Sequence, residues 1–324
     1  MARLIRNTAV LAKIETTPGT DSVPTGSANA ILVSNLSITP LNAQNVDRAL
    51  IRPFLGASEM LIGSSYVECS FDVEFVGSGT VATAPAWAPL ARACGLAETL
   101  TATIRADYTP ISSAMETVTI YWYDDGVLHK LLAAVGNVMP KLMMGEIPKL
   151  SFKFMGLEGG NTAVSNPSLT LTAFKQPQIV RDAVTADLTF GATHSATLAP
   201  AFTGGTVYPS TGVELDFGNE TPFNPFLGGE RIDIVNRTVT GKVELVLTAA
   251  EEVAMIASAK AGTLVSVGLL HGSVANNKVG IFMPSVQLLN PGKGDRNGLR
   301  TVTFDLRALP VSGNDEVRLI ASYA

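Results

Sequence analysis

One stretch of strict two-residue alternation occurs twice in this chain, and that repetition limits the fold more than any other feature. Within LGASEMLIGSSYVECSFDVEF (residues 55–75), Val67, Cys69, Phe71, Val73 and Phe75 take one side. Tyr66, Glu68, Ser70, Asp72 and Glu74 take the other. Successive side chains of a strand point to opposite faces, so the spacing predicts a strand with one apolar and one acidic face. LGGERIDIVNRTVTGKVELVL (residues 227–247) aligns with this stretch without a gap. Leu55-Gly56 meets Leu227-Gly228, and Val67, Phe71, Val73 and Phe75 meet Val239, Val243, Leu245 and Leu247. Asp72 meets Glu244.

The surroundings of the two copies repeat as well. Residues 86–94, AWAPLARAC, predict a short helix stopped by Gly95, and residues 248–260 predict its counterpart, stopped by Gly262. A hairpin follows each helix. In the first copy TVTIYWY turns at Asp124-Asp125-Gly126, a strong hairpin signal, and returns over 127–138. In the second the hairpin spans 264–270 and 278–289. A last strand closes each copy, with Leu150, Phe152 and Phe154 matched by Val302, Phe304 and Leu306. Residues 30–39, 169–174 and 186–190 also read as strands, and 316–321 as a terminal one. The long segment 42–65, with Pro53, Gly56 and Gly63, reads as a projecting hairpin-like loop.

The chain is therefore expected to be mainly β, with two tandem β-barrel or sandwich domains, each flanked by a short α-helix. The expected boundaries are an extended N-terminal arm over 1–28, a first domain over 29–160, a connector over 161–175, a second domain over 176–312, and a C-terminal strand or arm over 313–324. The arm carries ETTPGTDSVPTGS, which cannot hold a regular element. Val10, Leu11 and Ile14 give it apolar side chains to lay on a neighbouring subunit.

Hydrophobic residues make 46% of the chain and charged residues 16%, more apolar surface than two small cores use. Burial between subunits is the expected sink. The net charge of -5 argues against binding by attraction to phosphates. The start, MARLIRNTAVLAKIE, lacks the apolar run of a signal peptide, so a soluble protein made in the cytoplasm, with no membrane partner, is expected. Cys69 and Cys94 are too few for a disulfide framework and read as buried small hydrophobes.

Catalytic patterns are missing. His129, His194 and His271 have no metal-ligand spacing, and His129 and His271, near hairpin turns, are expected at the surface. There is no Gly-x-Ser-x-Gly elbow, and GSGT (77–80) and PGKGDRNG (291–298) lack the ending of a phosphate loop. No enzyme, metal or cofactor is expected.

Three blocks carry a family likeness: LAKIETTPGTDSVPTGSANAILV, RPFLGASEMLIGSSYVECSFDVEFVGSGTVATAPAWAPLARACG and GEIPKLSFKFMGL. In this order they resemble the major tail, or tail tube, proteins of long-tailed bacteriophages. FGNETPFNPFLGGERIDIVNRTVTGKVEL resembles that family's second half, so the likeness covers nearly the whole chain. The resemblance implies a structural virion protein whose copies close into rings around a DNA channel and stack into a tube. Assembly in the host cytoplasm, a place in the virion tail, and tape measure and other tail proteins as partners follow from it. So does passage of double-stranded DNA without sequence-specific binding. Many members have one domain and form hexameric rings. The duplication here implies homotrimeric rings with six domains. Under this likeness Glu68, Asp72, Glu74 and Glu244 become candidates for a negative lumen wall. Val10, Leu11, Ile14, Arg52, Phe54 and Leu61 become candidates for inter-ring contacts. An Hcp-like or contractile-tail tube protein is the nearest alternative, and a phage carbohydrate-binding β-sandwich a more distant one.

Overall fold

The computed structural model describes residues 2–324 and is mainly β. The first half holds β1 (Thr8–Ile14), β2 (Ala30–Ile31), β3 (Ser34–Asp47), β4 (Met60–Glu74), α1 (Ala88–Arg92), β5 (Leu96–Thr101), β6 (Arg105–Pro110), β7 (Val118–Asp124), β8 (Val127–Met143) and β9 (Lys149–Ala163). The next segment holds β10 (Leu188–Phe190), β11 (Thr193–His194), β12 (Phe202–Thr203), β13 (Thr206–Tyr208), β14 (Ser210–Asp216), β15 (Asn219–Glu220), β16 (Phe223–Phe226), β17 (Gly229–Ile232) and β18 (Asn236–Arg237). The last segment holds β19 (Thr240–Leu245), α2 (Ala249–Lys260), β20 (Leu264–His271), β21 (Lys278–Arg296), β22 (Leu299–Ala308) and β23 (Arg318–Tyr323).

Antiparallel pairing runs β1–β7–β8–β9–β4–β3 in the first half. It runs β10–β20–β21–β22–β19–β14 in the second. Element for element the two orders are the same. The registers also agree. Phe71 lies opposite Phe152 and Val73 opposite Leu150, while Val243 lies opposite Phe304 and Leu245 opposite Val302. In each half the apolar positions of the alternating strands point into the core, where Phe71, Phe152 and Phe154 stack. One contiguous core takes side chains from both halves.

The halves are not separate bodies. β14 pairs with β8, and β23 pairs with both β21 and β6, so one sheet runs through the chain without closing into a barrel. A buried ion network reinforces the second join. Arg105 Nε donates to Asp107 at 2.9 Å, Arg318 Nη1 stands 3.3 Å from the same carboxylate, and Arg105 Nη2 donates to the Ser195 carbonyl at 2.9 Å. A carboxylate buried this deeply is tolerable only because two guanidiniums meet it.

The N-terminal segment differs from the expected arm, whereas β23 lies where a terminal strand was expected. β1 lies antiparallel on β7, with Val10 opposite Trp122 and Leu11 opposite Tyr121. The Glu15 carboxylate is buried and accepts from Gly19 N, Thr117 Oγ1, Thr119 Oγ1 and Ala133 N, at 2.7 to 2.9 Å. Proline and glycine break regular structure after residue 14, not before it, and the strand ahead of them uses its apolar face inside its own chain. At the other end, Leu319, Ile320 and Ala321 of β23 are fully buried.

Other boundaries shift too. The segment 42–65 is a long hairpin, paired over half its length because β3 and β4 continue to Asp47 and Met60, with residues 48–59 as its tip. β9 extends to Ala163, and residues 169–174 form no strand. The Asp125-Gly126 turn has φ of 42° and 93°, the left-handed pair that a two-residue hairpin needs. α2 begins with a capping box between Thr248 and Glu251, while α1 is a single turn whose neighbour Trp87 is buried and donates to the Val76 carbonyl at 2.8 Å.

Candidate channel face and assembly surfaces

β3–β4–β9–β8–β14–β19–β22–β21 form a continuous run of eight strands across both halves. Residues directly opposite one another in antiparallel strands share a face. One row on the polar face reads Glu74, Lys149, Lys141, Glu214, Lys242, Asp305 and Leu289, each opposite the next. Glu68 and Asp72 stand two-residue steps along β4 from Glu74, and Glu244 one such step from Lys242. All four acids singled out from the sequence therefore lie on one face of one sheet.

That face is not uniformly acidic. Lys149 Nζ donates to Asp72 at 2.7 Å, and Lys153 stands 3.8 Å from Glu68. Glu244 accepts from Thr301 Oγ1 at 2.6 Å and lies 3.7 Å from Arg296. Burial pushes the Asp72 carboxyl up, but hydrogen bonds from Lys149, Ser151 and Asn35 outweigh it and hold the carboxyl below the usual range. Burial alone raises Glu74. Asp72 is buried, whereas Glu214 in the same sheet is exposed. The alternation that puts Leu150, Phe152 and Phe154 inward also puts Lys149 and Lys153 outward, so the signal for these cations was present. What the sequence lacks is the pairing of β4 with β9, which sets Lys149 beside an acid 77 positions away.

The candidate contact residues divide. Val10 and Leu11 are buried in the chain's own core, so they are not free to reach another ring. Ile14 is half-buried on the same strand and packs against the core. Arg52, Phe54 and Leu61 lie on the exposed end of the β3–β4 hairpin, where Phe54 and Leu61 keep more than half of their surface in solvent. Ile51, Leu55, Met60 and Ile62 are exposed there too, which makes the hairpin end a contiguous apolar set.

His271 corrects a surface expectation. It is buried between Thr185 Oγ1 at 2.8 Å and the Gln178 carbonyl at 3.0 Å, because the segment from Gln178 to Thr185 lies over the end of β20. Burial lowers its pKa, and at His194 burial, Arg318 and Arg105 do the same. Cys69 and Cys94 are buried thiols, both pushed up by desolvation. Among the described residues no group of acids, histidines and cysteines could hold a metal ion, and no helix is long and apolar enough to cross a membrane.

No curated protein matches the chain. The family model described as phage tail tube protein matches residues 5–308, which takes in both pairing series and the β8–β14 join. The chain belongs to the phage tail tube protein family.

Proposed function

We propose that three copies of this chain close into a ring of six similar β units, and that such rings stack into the tail tube of a long-tailed phage. The observation that carries this reading is the repeated pairing order, joined within the chain by β14 on β8. A chain that already holds two units side by side needs three copies where a single-unit relative needs six. The first unit comprises the β1–β9 series and the second the β10–β23 series.

The polar face of the eight-strand run is the proposed channel wall. Glu68, Asp72, Glu74 and Glu244 belong to it, interleaved with Lys149, Lys153 and Lys242. Acids and lysines are mixed on this face, so a passing phosphate backbone meets no continuous basic strip on which it would bind and stall. The wall thus suits transit of double-stranded DNA, and before that occupancy by a tape measure protein. Assembly takes place in the host cytoplasm, and no catalytic step is involved. Electron microscopy of the purified protein tests the reading. Rings or tubes with an open bore are expected, and single particles under all assembly conditions would count against it.

A further inference from the structure

The join between the two halves of one chain is a pattern for the join between two chains. At the internal join Gly212 lies opposite Met143, Val213 opposite Leu142 and Glu214 opposite Lys141. Both partners have counterparts elsewhere in the same chain. β14 corresponds to β3, since each flanks the alternating strand of its half. Ser37 pairs with Ser70 as Glu214 pairs with Lys242, which sets Asn35, Leu36 and Ser37 equivalent to Gly212, Val213 and Glu214. The backbone supports this equivalence independently. Both strands break register at this point, and Asn35 and Gly212 both have positive φ, 52° and 113°. β8 corresponds to β21, since Pro140 faces Leu150 as Lys293 faces Val302. Lys141, Leu142 and Met143 are thereby equivalent to Gly294, Asp295 and Arg296.

Both counterparts are open. Among the described residues β3 pairs only with β4, and Gly294–Arg296 pair only with Leu299–Thr301 of the adjoining strand. Exposed edges with unpaired amides and carbonyls are templates for another strand. A second surface repeats the same relation. The β16–β17 hairpin of the second half packs back on the first, with Phe223 5.0 Å from the Tyr66 ring and Ile232 buried. The equivalent part of the first half, residues 51–60, has nothing to cover it. Ile51, Phe54, Leu55 and Met60 stand exposed.

We infer that β3 of one copy pairs antiparallel with the end of β21 of a second copy, with Asn35 opposite Arg296, Leu36 opposite Asp295 and Ser37 opposite Gly294. The 51–60 hairpin tip then covers the second copy's second half, as β16–β17 covers the first half within a chain. The contact is head-to-tail, so it closes only if successive rotations complete a circle. This inference rests on the ring reading and adds the edges and their register.

Directly opposed antiparallel residues have Cα atoms about 4.5–5.5 Å apart, within disulfide range. Leu36→Cys combined with Asp295→Cys places one thiol on each edge. Gly294 is unsuitable, because a Cβ there would meet Thr301 Oγ1 at 2.3 Å. Oxidation of assembled L36C/D295C protein is expected to give covalently closed rings on non-reducing gels. Each single variant is expected to stay monomeric. Hydrogen exchange on the unmodified protein supplies a second readout. Amides 35–37 and 294–296 are expected to become protected on assembly. Rings that form while these amides exchange as in free chains would overturn the edge assignment and leave the ring reading standing. Absence of rings in the unmodified protein would overturn both.

Discussion

At Asp72 the alternation that reads plainly in the sequence meets a partner that does not. The period of two fixes which side chains share a face, and it does so for Glu68, Asp72 and Glu74. It carries no information on which strand comes to lie alongside. The structure sets Lys149 on Asp72, so replacing Asp72 by Lys places two ammonium groups together at a buried position. Asp72→Lys is expected to lower the melting temperature, and Asp72→Lys with Lys149→Asp to recover part of the loss. A half-buried pair of this kind is worth on the order of 1 kcal/mol in a double-mutant cycle. Additive effects of the two single variants would remove the pair as a source of stability. Glu214, exposed in the same sheet, is the cleaner position at which to alter the charge of the proposed channel wall.

The histidines give a second residue-scale expectation. Burial lowers the pKa of both His194 and His271 in the fold. An unfolded imidazole titrates near about 6.5. As pH falls through that value the unfolded chain takes up protons first, so folding stability declines with acidification. The contribution is absent above the unfolded pKa and grows as pH falls toward the lowered folded value. Denaturant midpoints of unassembled protein measured from pH 7.5 to 5.5 are expected to fall, and to fall less in His271→Gln. Equal slopes in variant and parent would exclude His271 as a source of the decline.

Among the elements, β1 shows how a correct reading of burial can reach the wrong partner. Val10, Leu11 and Ile14 stand out as apolar residues in a polar segment, and the first two are buried. They are buried against β7, more than 100 residues away, which no local pattern encodes. Deleting residues 1–27 removes Val10 and Leu11, opens the edge of β7, and strips Thr117, Thr119 and Ala133 of the Glu15 carboxylate. Burial of each such aliphatic side chain contributes about 1.5–3 kcal/mol. The truncated protein is expected to lose cooperative thermal unfolding rather than only the ability to polymerise. A native melting curve in the truncated monomer would return this segment to the role of an arm. The β3–β4 hairpin shows the opposite case. Its Pro and Gly content reads as a hairpin-like loop, and backbone pairing carries its arms to Asp47 and Met60, with Gly63 at a register shift between them.

For the molecule as a whole, the sequence repeat was the most informative signal. Sliding one copy over the other reproduces the register seen in space, Phe71 on Phe152 as Val243 on Phe304. The joins β8–β14 and β6–β23 were not legible, because they link segments with no shared pattern. They turn two similar units into one sheet in which β3 and the end of β21 stay open, and the proposed ring follows from repeating the β8–β14 join between chains. Reconstruction of assembled tubes by electron cryo-microscopy, at a resolution that traces the chain, tests this most directly. The predicted result is three chains per ring, six similar units around the bore, and β3 of each chain against β21 of the next. Six chains per ring, or chains that meet through other edges, would contradict it.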